Sequence, residues 1–209
     1  MTTIDPYKYS QVVIVGNGEF PTTPLPLRIL NDATNVILCD GAANSYIKRK
    51  MDFDIIIGDG DSVSDEIKQN YASKIIINSD QETNDQTKAI NFLYSKGISE
   101  VSIIGATGKR EDHSLGNISL LIDYMQRGVN AKIFTDYGIF IPIIGKAKVL
   151  VNPKQKVSIF NYNCTEMSAI GLKYQIRAFN ALWQGTLNEA TNKEIIINAN
   201  GQYLLYLAY

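Results

Sequence analysis

Two carboxylates separated by one glycine form the most informative segment of the chain. Asp59 and Asp61 stand in the segment GDGDS at residues 58–62, directly after an apolar run at residues 55–57. Such neighbouring carboxylates repel each other unless a cation or a shared proton offsets their charge. Mg²⁺ suits the pair, because it takes one or two carboxylates and completes its coordination with water and phosphate oxygens. An exposed Asp/Gly turn would explain the segment alone equally well, but its place after a buried strand favours a metal site.

A second acidic segment follows the apolar run Ile75–Ile77. Here Asp85 is expected in the first turn of a helix, where the helix dipole and the free N–H groups favour anions. Lys88 comes three residues later and therefore lies on the same helical face. We interpret Asp85 as a candidate third metal ligand and Lys88 as a candidate phosphate contact. Taken alone, this segment is explained better by ordinary capping with an intrahelical ion pair.

A third segment combines glycines, basic residues and the expected start of a helix. It is GATGKREDH at residues 105–113, after the apolar run at 101–104, and it predicts a phosphate cradle that includes Gly105 and Arg110. It is not a P-loop, since the glycine spacing and the Lys-Ser/Thr ending are absent. His113 is the only histidine of the chain, which excludes a zinc site of several histidines. Its default interpretation is a hydrogen-bonding residue at a helix end.

The segment DGAAN at residues 40–44 also follows an apolar run, and its small side chains would let a ligand approach the backbone. The GNG turn at residues 16–18 is a weaker signal of the same kind. In open α/β sheets, ligands bind beyond the carboxyl ends of the strands, so these loops are expected to meet at one edge. Together they predict a site for Mg²⁺ and a polyphosphate. No Ser/His/Asp set and no activated cysteine is recognisable.

The elements that position these loops alternate between strand and helix over the first two-thirds of the chain. Apolar, β-branched runs are typical of strands in a parallel sheet buried on both faces. A helix is predicted over residues 84–96, ended by Gly97. Another is predicted after Ser114 as N-cap, with Leu115 and Ile122 in its apolar stripe and Gly128 as its stop. This alternation predicts an α/β fold with a doubly wound, mainly parallel sheet.

After about Asp136 the pattern changes to short strand-like runs separated by turn residues. The Asn200-Gly201 pair between two such runs predicts a β-hairpin. We therefore predict a sheet domain at residues 1–136, followed by an all-β sandwich domain at residues 137–209.

Composition excludes several classes of function. The chain has 209 residues, 45% of them hydrophobic, and a net charge of −1, so no basic excess indicates a nucleic-acid partner. Its two cysteines, Cys39 and Cys164, are far apart and are expected to be buried free thiols. Neither a signal peptide nor a membrane-spanning run is recognised, which predicts no membrane association and a cytoplasmic protein.

Four ordered motifs resemble the signature of the thiamine pyrophosphokinase family. They are CDGAAN at residues 39–44, IIGDGDS at 56–62, DQETNDQTKA at 80–89 and GATGKREDHSLGN at 105–117. The later stretches GLKYQIRAF at 171–179 and GTLNEAT at 185–191 are similar to the vitamin-binding region of that family. The resemblance implies an α/β ATP-binding catalytic domain, a β-sandwich domain for thiamine binding and dimerisation, and a homodimer with shared active sites.

The activity implied by the resemblance is Mg²⁺-dependent transfer of diphosphate from ATP to the hydroxyethyl group of thiamine, which releases AMP. Asp59, Asp61 and Asp85 would be the catalytic metal ligands, and Asp61 could also accept the hydroxyl proton. The matching nucleotide-binding positions are Asp40, Gly41, Asn44, Lys88, Gly105, Arg110, Asp112 and His113.

Thiamine is a cation with two aromatic rings, so aromatic faces and nearby oxygens would suit it. In the β-rich part, Asn188, Glu189 and Tyr206 are the candidates, and Trp183 is a further aromatic. Tyr206 is explained equally well as an ordinary strand residue.

Three positions depart from the family pattern, and three alternatives for the function stay open. Lys109 stands where a second glycine is usual, Asn84 where threonine is usual and Gly60 where a bulky residue is common. The first alternative is a related diphosphokinase for another heterocyclic alcohol, such as a hydroxymethyl pterin. The second is a non-catalytic sensor of nucleotide or thiamine, and the third is a sugar-nucleotide transferase with an Asp-x-Asp metal site.

Overall fold

The computed structural model describes all residues from 1 to 209 and contains fourteen strands, five α-helices and two short 3₁₀ turns. The strands are β1 (Thr2–Ile4), β2 (Val12–Val15), β3 (Asn35–Cys39), β4 (Ile55–Gly58), β5 (Ile75–Ile77), β6 (Glu100–Ile104), β7 (Asn130–Phe134), β8 (Gly138–Ile144), β9 (Ala147–Leu150), β10 (Lys156–Asn161), β11 (Met167–Ile170), β12 (Asn188–Glu189), β13 (Glu194–Ala199) and β14 (Gln202–Ala208). The helices are α1 (Pro24–Asn31), α2 (Asp40–Ile47), α3 (Asp65–Asn70), α4 (Asp85–Ser95) and α5 (Glu111–Gln126). None of these helices is long and apolar enough to cross a membrane.

A ten-stranded sheet organises the molecule. Its order is β12-β10-β14-β8-β7-β6-β2-β3-β4-β5, and the six strands from β7 to β5 are parallel. The strand order reverses between β2 and β6, because β3 to β5 lie on one side of β2 and β6 and β7 on the other. The mixed α/β fold with a β-rich C-terminal part is thereby confirmed.

The β-rich part shares this large sheet. Strand β8 pairs antiparallel with β7 and continues the sheet into β14, β10 and β12. A second sheet has the order β1-β9-β13-β11, so residues 2–4 pair with residues 147–149 far along the chain. Strand pairing therefore crosses the predicted division at residues 136/137 twice, and that division stays a prediction. The two threonines of β1 give no apolar pattern from which a strand could be predicted.

The apolar runs of the parallel strands form the core because both faces of the sheet are covered. In β2, β3 and β6 the central side chains are almost fully buried, with Ile14, Leu38 and Ile103 at 0% exposure. Burial of such a side chain contributes about 1.5–3 kcal/mol relative to leaving it in water. The runs thus both stabilise the sheet and anchor the loops at its edge.

The structure agrees with the predicted bounds of helix α4 and corrects the predicted start of helix α5. Helix α4 runs from Asp85 to Ser95, in agreement with the helix predicted over residues 84–96, and its N-cap Asn84 accepts a side-chain hydrogen bond from the Thr87 N–H. Helix α5 begins at Glu111, so Ser114 as its N-cap was wrong. The Ser114 hydroxyl instead donates to the Arg110 carbonyl inside the first turn, and Leu115 is exposed. Acidic residues at the first two helical positions favour the earlier start.

The predicted hairpin at Asn200-Gly201 was also wrong. Strands β13 and β14 flank the pair, but they belong to different sheets. Neither residue has the positive φ that a type I′ turn requires. The Asn200 side chain instead accepts hydrogen bonds from the backbone N–H groups of Thr165 and Glu166, and this fixes a corner between the sheets.

Candidate active site

Asp40 lies at the centre of the acidic loops. It is the first residue of α2, is 1% exposed, and its Oδ2 accepts hydrogen bonds from the N–H groups of Gly60 at 2.8 Å and Ser62 at 3.4 Å. Its Oδ1 is buried and has no hydrogen-bond partner. Gly58 permits this approach, since a Cβ there would stand 2.3 Å from the Asp40 Cβ. An unpartnered buried carboxylate oxygen is costly, which makes this atom a candidate ligand for a cation.

The loop after β4 places Asp59 beside Asp40. Burial raises the pKa of Asp40, and the nearby side chain of Asp59 and the charge of Asp85 raise it further. The pKa of Asp59 is lowered, first by the Asp61 N–H, which donates to Asp59 Oδ1 at 3.1 Å, and then by Asp40, Gln81 and Lys88. Asp59 is therefore the carboxylate that stays ionised most readily.

Helix α4 contributes Asp85 and Lys88. The Lys88 Nζ lies 3.3 Å from Asp85 Oδ1, and Lys88 is 3% exposed. Burial raises the pKa of Asp85 and the charge of Asp59 adds to it, while the hydrogen bond from Lys88 acts in the opposite direction. The carboxylates of Asp40, Asp59 and Asp85 thus interact electrostatically, and of the three only Asp85 pairs with the buried Lys88 ammonium. Such an excess of negative charge favours a cation or protonation.

The structure brings only part of the predicted metal site together. Asp61 is exposed, and its backbone N–H, rather than its carboxylate, contacts Asp59. No group of three or more Asp, Glu, His or Cys side chains is close enough to enclose a metal ion. The shared Mg²⁺ of Asp59, Asp61 and Asp85 therefore stays a prediction. The carboxylate chemistry and the unpartnered Asp40 Oδ1 fit a hard cation.

The central place of Asp40 was missed by sequence reasoning, which put it among the nucleotide contacts. The available signal was its position as the first residue of a helix, which it shares with Asp85. Asn44, by contrast, binds the loop after β4, where it donates to the Ser62 carbonyl at 2.6 Å and accepts from the Ser64 N–H at 3.1 Å. Both ends of its amide are already engaged.

The loop after β6 carries the basic part of the site. Arg110 donates to both carboxylate oxygens of Asp112, and both side chains are exposed. This pairing lowers the pKa of Asp112 to about 2. His113 is exposed and donates its backbone N–H to Asp112 at 2.9 Å, in line with a helix-end role. Gly105 has a φ of +65°, which a glycine adopts without strain.

The predicted thiamine-binding residues lie in the antiparallel half of the sheet. Asn188 is buried and exchanges two hydrogen bonds with the backbone of Tyr174. Glu189 binds Lys156, which lowers the pKa of Glu189. The half-buried Tyr206 ring packs 4.7 Å from the ring of Phe140. These three predicted residues are thus engaged within their own chain.

Apolar side chains near them are exposed. Trp183 is 73% and Leu187 85% exposed, and Tyr174 and Leu182 are exposed in the same segment at residues 174–187. We name these four side chains the apolar segment. Isolated exposed apolar residues are normal, whereas several in one short segment are typical of interaction surfaces.

One cavity lies away from the acidic loops. It has a volume of about 600 Å³ and is lined by the N-terminal segment, β8 and the first residues of β6 and β7. It therefore opens at the amino ends of the parallel strands. None of the predicted site residues lines it, and Lys132 on its wall binds the backbone carbonyls of Asp5 and Lys8. The cavity follows from how the N-terminal segment crosses the sheet.

Comparison with known proteins points to one family. The family model "Thiamin pyrophosphokinase, catalytic domain" matches residues 27–133, and "Thiamin pyrophosphokinase, substrate-binding domain" matches residues 138–206. Thiamine pyrophosphokinase 1 of Oryza sativa subsp. japonica is 37% identical over 78 residues, which are 32% of this chain and 30% of that protein. The match thus spans less than a third of that curated relative.

Solved structures agree in fold. Thiamin pyrophosphokinase from Candida albicans superposes with a TM-score of 0.79 at 18% identity, covering 99% of this chain and 92% of that one. Thiamine pyrophosphokinase from Bacillus subtilis gives 0.78 at 18% identity, covering 94% and 98%. At this identity the likeness shows the fold, which both chains share over nearly their whole length.

Proposed function

Because the chain belongs to the thiamin pyrophosphokinase family, we propose that it transfers a diphosphate group from ATP to the hydroxyethyl group of thiamine, giving thiamine diphosphate and AMP. One observation carries this proposal. The catalytic-domain match contains all the acidic loops, and the substrate-binding match follows it directly in the chain. A protein that joins a cationic acceptor to a polyphosphate needs both parts.

We further propose that the acidic loops hold Mg²⁺. Asp59, Asp61 and Asp85 are the proposed ligands, and the buried Asp40 Oδ1 supplies a further carboxylate oxygen beside them. When bound, Mg²⁺ neutralises negative charge on the phosphates and orients them. The support is electrostatic, since the interacting carboxylates of Asp40, Asp59 and Asp85 have one buried ammonium, Lys88, and that ammonium pairs with Asp85. They need a further compensating charge before a polyphosphate can approach.

The residues of the chain have distinct roles in this proposal. Lys88, fixed in a buried position on α4, binds a phosphate oxygen, and Arg110 offsets phosphate charge from the exposed side. The thiamine oxygen attacks the β-phosphorus in line, the bond to the AMP oxygen breaks, and the hydroxyl proton leaves. Exposed Asp61 accepts that proton. Positioning and charge stabilisation supply most of the rate acceleration, as in other phosphoryl transfers.

The acceptor site is proposed to form in a homodimer. The apolar segment is exposed in the single chain, whereas Asn188 and Glu189 next to it are held by hydrogen bonds. In this proposal a second copy covers the apolar segment, and the Glu189 carboxylate and Tyr206 ring of one copy then face the acidic loops of the other. Both groups suit the thiamine cation. The active site would then be shared between subunits.

Two finer points complete the proposal. The parallel part is proposed to be doubly wound, because its strands alternate with helices and the strand order reverses between β2 and β6. The reaction is proposed to take place in the cytoplasm, with ATP and thiamine as partners and neither nucleic acid nor membrane.

The decisive experiment follows AMP release from Mg-ATP with thiamine as sole acceptor, and separately with a hydroxymethyl pterin. We expect thiamine diphosphate to form in equal amount to AMP, and we expect a chelator of Mg²⁺ to abolish the formation of both. Turnover with the pterin alone would assign the related diphosphokinase activity. Tight binding of ATP and thiamine without any product would instead identify a sensor.

A further inference from the structure

Lys109 adopts a backbone conformation that disfavours side chains. Its φ is +62°, in the left-handed region where residues other than glycine are strained. Its Nζ donates to the backbone carbonyl of Asn17 at 2.8 Å and to the Asn17 side-chain Oδ1 at 3.0 Å. Both bonds reach the same residue, 92 positions earlier in the chain. The strain therefore accompanies a specific long-range contact, which we name the Lys109–Asn17 clamp.

The clamp adds to other contacts that hold the loop after β2 on two sides. Within this loop the Gly18 N–H donates to the Gly105 carbonyl at 2.6 Å and the Glu19 N–H to the Thr107 carbonyl at 2.8 Å. On its other side, a Cβ at Gly41 would lie 2.2 Å from Asn17 Nδ2, so the two residues are in tight contact.

Asn17 is thus held between the loop after β6 and the start of α2. Gly41 directly follows Asp40, and Lys109 directly precedes Arg110, so these contacts connect the acidic loops to Arg110.

The clamp lies beside the crevice where the proposed nucleotide would bind. The loops after β2 and β6 flank the point where the strand order reverses, and ligands of open α/β sheets bind in the crevice outside this point. The two donated bonds leave the third ammonium donor of Lys109 unused. No carboxylate lies within ion-pair distance of Lys109, so its charge is not neutralised locally.

We propose that Lys109 is a positioning residue for ATP: it clamps Asn17 so that the start of α2 and the loop after β6 keep the spacing that the nucleotide requires. The inference rests on the proposed nucleotide site and deepens it. The side chain of Lys109 has a role at this position, although glycine would be less strained there. A purely local role would favour glycine, because glycine adopts this φ freely.

The test compares Lys109→Gly, Lys109→Met and Lys109→Arg with the wild-type protein. The measurements are the dissociation constant of Mg-ATP by calorimetry without thiamine, the KM and kcat of thiamine diphosphate formation, and the thermal midpoint. Lys50→Gly is the matched control, because Lys50 also has a positive φ (56°) but is exposed and forms no ion pair. It lies just beyond the far end of α2.

Loss of the charged donor in Lys109→Gly and Lys109→Met is expected to weaken ATP binding about tenfold. The KM for ATP should rise equally, with kcat within about twofold of wild type. Lys109→Arg should restore most of the affinity, since its fork can donate to both Asn17 oxygens. The thermal midpoint of Lys109→Gly should not fall, because the left-handed strain is relieved. Lys50→Gly should bind ATP like the wild type.

Wild-type ATP affinity in both Lys109→Gly and Lys109→Met would overturn the proposal. So would a loss confined to kcat, or an equal loss of affinity in Lys50→Gly. The proposed function is tested separately by the wild-type protein. If it binds ATP through the clamp but forms no thiamine diphosphate, the activity is refuted while the clamp stands.

Discussion

In the parallel half of the large sheet, the carboxylates of Asp40, Asp59 and Asp85 interact and only Asp85 pairs with Lys88. In the antiparallel half, Asn188 and Glu189 bind other parts of their own β-rich region. The acidic loops keep an unpartnered buried oxygen, on Asp40. The β-rich half keeps exposed apolar side chains instead. The parallel half therefore has a buried carboxylate oxygen without a partner, and the β-rich half has an apolar surface that nothing in the single chain covers. The difference teaches that, in the proposed enzyme, the nucleotide side of the site would lie within a single chain, whereas the acceptor side would need a second copy to complete it.

The largest expected effect comes from the acidic loops. Asp59→Asn removes a carboxylate whose pKa is held low, so turnover should fall at least about a hundredfold, as when a key charge-stabilising group is lost. AMP release measures the effect. The fold should persist, since Asp59 lies in a loop at the sheet edge; Asp52→Asn, an exposed carboxylate without a side-chain bond, is the control. Loss of cooperative unfolding in Asp59→Asn would show that the carboxylate is structural.

The next effect tests the β-rich half. If the apolar segment is a subunit interface, Trp183→Asp should weaken self-association about thirtyfold, a typical loss for a buried aromatic anchor. Sedimentation over a concentration series measures it. Tyr94→Asp, at an exposed tyrosine of α4, should leave association unchanged. A wild-type chain that stays monomeric at all concentrations would contradict the shared-site proposal.

A smaller effect concerns the electrostatic cost of the acidic cluster. Asp40→Asn should raise the free energy of unfolding by about 1 kcal/mol, because it relieves repulsion between the buried Asp40 and the neighbouring carboxylates of Asp59 and Asp85. An oxygen remains for the Gly60 N–H. Thermal unfolding at several pH values measures it, and the same variant should lose activity.

The stability gained by Asp40→Asn should depend on pH, because the pKa of Asp40 is raised in the folded chain. The folded chain binds this proton more tightly than the unfolded chain, so wild-type stability falls as pH rises from 3.8 through the raised pKa. The gain from Asp40→Asn should therefore be largest at neutral pH and vanish below pH 3.8. A gain that does not depend on pH would separate Asp40 from the charge cluster.

The smallest effect is expected at the exposed rim of the parallel half. Arg110→Ala should raise the KM for ATP about fivefold and the KM for thiamine less, since an exposed ion is partly screened by solvent. The pKa of Asp112, now about 2, should return toward its ordinary value of 3.8 in this variant. Carboxyl NMR titration checks it. A larger change for thiamine than for ATP would place this loop on the acceptor side.

Particular residues show how far sequence patterns reach. The loops at residues 58–62 and 105–113 could be located because parallel strands end at one edge of a sheet, so order along the chain predicts proximity. Helix α4 could be predicted because Asn84 and Gly97 are local signals. The sheet corner at Asn200-Gly201 could not, since the choice between a hairpin and a corner depends on Thr165 and Glu166, which are distant in sequence.

By itself, the sequence determined the alternation of strands and helices, the places of the acidic loops and the family to which the chain belongs, because these depend on short-range pattern. Only the tertiary structure decided that β1 joins the second sheet, that one sheet runs through both halves, and that Asp40 is the buried centre of the charge cluster. It also decided that Lys109 holds Asn17. The physical reason is that strand pairing, desolvation and charge repulsion act between groups that are close in space, whatever their separation along the chain.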